Sequence, residues 1–140
     1  MEDRSQLYFF RKSSFGMMNL KNIMLVILGS AMGGAMRYWI SGWVQQFNNT
    51  KFPAGTFTVN LLGCFLLGMI LEAASKSNDT FQIKILLITG FCGGFTTFSA
   101  FSLENLELVR NGNLTMAIVY AFTSVLMGIF AVWGGIALLK

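Results

Sequence analysis

Charged residues in this chain fall into a few short clusters, and the stretches between them, residues 22–36, 52–71, 85–103 and 111–139, contain no Asp, Glu, Lys or Arg. A helix crossing about 30 Å of hydrocarbon needs roughly 20 residues of this kind. The last three stretches are long enough as they stand. The first becomes so when Arg37 is included near its end, giving a span over residues 23–44. The pattern predicts an all-α membrane protein with four transmembrane helices and both termini on one side. Only connections of about ten residues remain, too short to house a catalytic domain between the spans.

The third stretch is irregular where it reads GFCGGFTTFSAF, residues 90–101. Gly90, Gly93 and Gly94 each destabilise a helix interior by about 1 kcal/mol relative to alanine, whereas Thr96 and Thr97 are suited to cap a helix that restarts after them. The third helix is therefore expected to be broken. In lipid a break is tolerated only where the freed amides and carbonyls are buried in protein or line a cavity. Such breaks form ion sites, with cations on carbonyls, anions on amides, or both.

Composition agrees with a membrane setting: 54% hydrophobic and 11% charged residues are outside the range of an ordinary soluble domain. The chain has no histidine, no metal-ligand cluster and no paired carboxylates within reach, which argues against an enzyme. Cys64 and Cys92 fall inside spans and read as small apolar packing residues. The net charge of +4 is scattered over termini and loops and makes no patch for nucleic acid.

Charge is more informative about topology. Arg4, Arg11, Lys12, Lys21, Lys76, Lys84 and Lys140 lie on the side of the termini, against Arg37, Lys51 and Arg110 opposite, which favours termini in the cytoplasm. Without Arg4, Arg11 and Lys12 the bias nearly vanishes, and a chain so balanced could insert both ways. Residues 1–22 lack the order of a signal peptide and read as a mobile N-terminal extension to a four-helix domain over residues 23–140.

Several polar residues lie where a purely lipid-facing helix would not carry them. Arg37 is either an interfacial anchor beside Tyr38, Trp39 and Trp43 or a cation facing an aqueous vestibule. Asn60 and Thr56 share one helical face of the second span, as interhelical glue or as pore lining. Phe98 and Phe101 share a face after the break; an aromatic ring has a positive edge that favours a small anion. Tyr120, Ser124 and Gly128 repeat at the four-residue interval on the last span and form a second hydroxyl-lined stripe. Apart from Arg37 no charge lies well inside a span, with Glu72 and Glu104 at the expected helix ends. Neutral donors and ring edges suit a weakly basic small anion.

Together GGAMRYW, GTFTVNLLGCFLLG and GFCGGFTTFSAFSLE resemble the CrcB or Fluc family of fluoride channels. The resemblance covers the chain from about Ile23 onward. It implies an antiparallel, dual-topology homodimer in the cell (plasma or inner) membrane, with fluoride pores at the dimer interface. It implies that Phe98 and Phe101 line the pore with their edges, beside the amide of Asn60. Ser99 and Thr56 match hydroxyls near the pathway, Tyr120 and Ser124 a polar track, and Arg37 a vestibule cation. The carbonyls of Gly93 and Thr96 match a structural sodium site at the dimer centre. Gly128 departs from the pattern, since a serine often extends the track at that point.

The function so implied is passive, fluoride-selective export that relieves fluoride toxicity. A small dimeric multidrug or metabolite exporter is the alternative; it calls for a carboxylate deep in the first span, and none is there. A non-transporting membrane scaffold would use the same polar residues only as glue.

Overall fold

A computed structural model describes residues 19–76 and 81–140. The expected N-terminal extension therefore lies almost wholly outside the described residues. Within them, α1 (Leu20–Gln46), α2 (Ala54–Ser75) and a last helix (Leu114–Leu139) are continuous. The third span is built in pieces: α3 (Phe81–Lys84), a π-helical segment (Ile85–Cys92), α4 (Gly93–Phe95) and α5 (Phe98–Arg110), so the last helix is α6. Four helical stretches are long and apolar enough to cross a membrane. At 1.5 Å per residue even the shortest, with 22 residues, reaches across about 30 Å of hydrocarbon. The chain is a multi-pass membrane protein.

Helix limits reflect local chemistry. Asn19 caps α1, its side chain accepting from Lys21 N–H at 3.2 Å. Between α5 and α6 the chain reverses at Gly112, whose φ of 74° is the left-handed conformation that glycine adopts without a Cβ penalty. There Asn113 N–H reaches Leu108 O at 2.8 Å, the wide closing bond of a Schellman turn.

Two glycine seams hold the bundle together. A Cβ on Gly29 would collide with the Leu86 carbonyl, and one on Gly33 with the Phe91 carbonyl, so α1 lies backbone-to-backbone on the π segment. A Cβ on Gly68 would meet the Val132 carbonyl and one on Gly135 the Phe65 carbonyl, which brings α2 and α6 together in the same way. Small residues permit such approach in lipid, where close packing takes over from the hydrophobic effect. Gly90 and Gly94 belong to the first seam: Gly90 faces Gly29, and a Cβ on Gly94 would strike the Ser30 backbone. Their place in the fold is close packing, rather than the weakening of a helix expected from their propensity. Ser30 adds a hydrogen bond across the seam, Oγ to Gly90 O at 3.3 Å.

Candidate functional site

The helical path of the third span stops at Phe95 and restarts at Phe98. Thr96 (φ −89°, ψ 158°) and Thr97 (φ −148°, ψ 117°) are both extended. The two threonines divide the work of ending and beginning a helix. Thr96 turns back, its N–H and its hydroxyl both donating to Cys92 O at 3.0 and 2.9 Å. Thr97 caps α5, its Oγ1 accepting from Ala100 N–H at 3.2 Å and lying 3.2 Å from Ser99 Oγ.

Asn60, from α2, fills the gap left in the backbone ladder. Its Oδ1 accepts Thr97 N–H at 2.7 Å while its Nδ2 donates to Thr97 O at 3.2 Å. A continuous helix would direct the Thr97 amide at the Gly93 carbonyl and the Ala100 amide at the Thr96 carbonyl. Both amides are committed elsewhere, to Asn60 and to Thr97 Oγ1. Residues 93 and 96 therefore lack their ordinary helical donors, and both line a cavity of about 440 Å³.

That cavity collects Asn60, Phe98, Phe101 and Ser124 with Gly93, Thr96 and Thr97. The Phe98 and Phe101 rings lie 5.7 Å apart and are tilted by 36°. Phe101 packs on Tyr120 at 5.1 Å, while Phe98 is 80% exposed and projects away from its own bundle. Ser124 Oγ is buried without a hydrogen-bond partner among the described residues. A buried, unpaired hydroxyl is costly.

A second compartment, of about 610 Å³, is lined by Arg37, Ser41, Thr56, Thr97 and Ser99 among others. Thr97 lines both cavities, so the break is their common wall. Arg37 lines this compartment, whose walls are mostly apolar with hydroxyls from Ser41, Thr56, Thr97 and Ser99 among them.

Thr56 and Tyr120 meet at one carboxylate, Glu104, which the sequence pattern did not single out. Thr56 Oγ1 donates to Glu104 Oε1 at 2.5 Å and Tyr120 OH to Glu104 Oε2 at 2.8 Å. One carboxylate takes both hydroxyls, and Tyr120 is fully buried in a cluster with Leu108 and Ala117. Ser124 lines the inner cavity, while Tyr120, one turn away on the same helix, donates to Glu104. The expectation that Glu104 marks a helix end is corrected, because α5 runs on to Arg110. The apolar stretch stops at Leu103, which hid this residue. The signal available was a carboxylate one turn beyond Ala100 on a helix already facing two hydroxyl-bearing spans.

Known proteins share this chain's sequence over nearly all of the described helices. The family model described as "CrcB-like protein, Camphor Resistance (CrcB)" matches residues 24–136. The chain belongs to the CrcB family. A protein of Methylobacillus flagellatus named "Fluoride-specific ion channel FluC" is 44% identical over 120 residues, covering 84% of this chain and 94% of that protein. One of Flavobacterium psychrophilum with the same name is 38% identical over 122 residues, covering 86% and 98%. A third, from Azobacteroides pseudotrichonymphae, is 43% identical over 114 residues, covering 81% and 91%. The CrcB match takes in all four spans and the break, and leaves out the N-terminal residues.

Proposed function

We propose that this CrcB-family protein is a fluoride-selective channel through which the ion leaves the cytoplasm passively across the cell membrane, relieving its toxicity. The observation that carries this reading is the buried, unpartnered Ser124 hydroxyl in a cavity it shares with Asn60 and the Phe98 and Phe101 rings. A small anion there finds a hydroxyl donor, an amide and positive ring edges, and no cation that would hold it fast. Fluoride approaches such donors more closely than chloride does, which lets it exchange its water shell for protein contacts. The relatives named as fluoride-specific channels support the same substrate.

Transport needs no energy-coupling group. A negative interior drives an anion outward by about 2.3 kcal/mol per charge for each 100 mV. Arg37 raises the anion concentration in the outer compartment, and Thr97 and Ser99 lead from there to the inner cavity.

The working unit in this reading is an antiparallel homodimer. Phe98, largely uncovered in one protomer, is then closed over by a second copy, completing the cavity. A structural sodium ion at the dimer centre fits the carbonyls of Gly93 and Thr96, which have lost their helical donors and face the cavity. Hard cations take oxygen ligands of this kind; sodium would tie the two broken helices together without being transported.

Liposomes containing the purified protein and loaded with fluoride test the reading. Fluoride efflux with no comparable chloride efflux is expected, and Asn60→Ala or Phe98→Ile should abolish it in a dimer that still elutes as one. Absence of efflux from folded wild-type protein would end the proposal.

A further inference from the structure

We infer that Lys51, beside Asn113, is the outer anion-attracting residue of this protein, setting how strongly small anions are drawn towards the Thr56 end of the pathway. The inference rests on the fluoride reading above. A third cavity, of about 650 Å³, opens between the α1–α2 connection and the α5–α6 turn. Two carboxylates, Glu104 and Glu107, line it, and Lys51 is the one cation among the described residues that does. Without that ammonium, an approaching anion would meet only negative charge there.

The ammonium is not neutralised by an ion pair among the described residues. Lys51 Nζ lies 3.5 Å from Asn113 Oδ1, an uncharged acceptor, and among the described residues no carboxylate pairs with it. Both partners stand on ordered turns. Asn113 comes directly after the Schellman turn at Gly112, and its Nδ2 donates to Asn111 O at 3.0 Å. On the other side Asn48 organises the connection around Lys51, accepting from Thr50 N–H at 3.1 Å and donating to Phe52 O at 2.5 Å.

The cavity leads inward. It shares Ser41, Gln45 and Thr56 with the compartment that Arg37 faces. Two cations thus stand in sequence on one route, Lys51 outside and Arg37 within. A charge so exposed acts over a distance set by salt, about 30 Å at 0.01 M and about 3 Å at 1 M. Focusing in a cleft raises local ion concentrations by about tenfold or more, and a single solvated cation belongs at the low end of that range.

The test is fluoride uptake by liposomes containing wild-type, Lys51→Gln or Lys51→Arg protein, read as the slope of initial rate against fluoride concentration. At about 0.01 M ionic strength the Lys51→Gln slope should fall about three- to tenfold, and at about 1 M the difference should shrink below about twofold. Lys51→Arg should track the wild type at both, and Glu107→Gln should raise the slope at low salt. Size-exclusion elution checks that each variant is assembled. A purely structural role would lower the slope equally at both ionic strengths, and that result, or an unchanged slope at low salt, would overturn the inference while leaving wild-type conduction intact. Absence of wild-type uptake would overturn both this inference and the fluoride reading.

Discussion

Asn60 holds the backbone of Thr97 from both sides, accepting its N–H at 2.7 Å and donating to its carbonyl at 3.2 Å. One side-chain amide thereby stands in for the helical hydrogen bonds that the break removes. Unpaired peptide groups at membrane depth cost several kcal/mol each, so a break needs such a partner to persist. The arrangement also determines which face of the third span presents Phe98 and Phe101.

Asn60→Ala should therefore lower stability by about 2–4 kcal/mol, the loss of two hydrogen bonds with a backbone amide and carbonyl left bare. Asn60→Asp should be no milder, since its second carboxyl oxygen would face the Thr97 carbonyl and a carboxylate would be buried at membrane depth. Unfolding midpoints in detergent, measured for the three proteins together, check that both variants fall below the wild type.

The two hydroxyls on Glu104 make a second, independent prediction. Thr56 and Tyr120 each donate to one carboxylate oxygen, and bonds to a charged acceptor contribute about 1.5–3 kcal/mol. Tyr120→Phe and Glu104→Gln should each destabilise the protein. The double variant should lose less than the sum, with a coupling of about 1 kcal/mol or more in a double-mutant cycle. Additive losses would mean that the hydroxyl and the carboxylate do not interact in the folded protein.

Glycines should sort into two classes by what lies above them. Gly29, Gly33, Gly68 and Gly135 each face a backbone atom that cannot move aside, whereas nothing lies within contact of Gly34 or Gly42. Alanine at any of the first four should prevent normal assembly, seen as loss of the folded peak on size exclusion. Alanine at Gly34 or Gly42 should be accepted, with a change of less than about 1 kcal/mol, and helix propensity would favour it.

Much of this was legible in the chain. Four spans could be read from uncharged stretches of membrane length, because a bilayer imposes that length on any helix crossing it. Thr97 as the cap of a restarting helix could be read from its hydroxyl and its position before Phe98. The π-helical turns from Ile85 to Cys92 left no mark in the sequence, since a wider turn depends on how α1 packs against it rather than on any residue type within it. At Glu104 hydropathy ends where the charge begins, although the helix continues to Arg110. Propensity alone points the glycines of the third span to a break; only the neighbouring backbones of Gly29 and Ser30 show that Gly90 and Gly94 provide close contact.

Phe98 and Ser124 flank the same cavity from different helices, one ring exposed and one hydroxyl unpartnered. The most direct measurement is the initial rate of fluoride efflux from liposomes reconstituted with wild-type, Ser124→Ala and Phe98→Ile protein, with chloride efflux recorded in parallel. The account predicts rapid wild-type fluoride efflux without chloride efflux, and a fall of about tenfold or more in each variant, as expected for loss of one interaction with a charged species. Wild-type rates retained in both folded variants, or chloride passing as readily as fluoride, would contradict it.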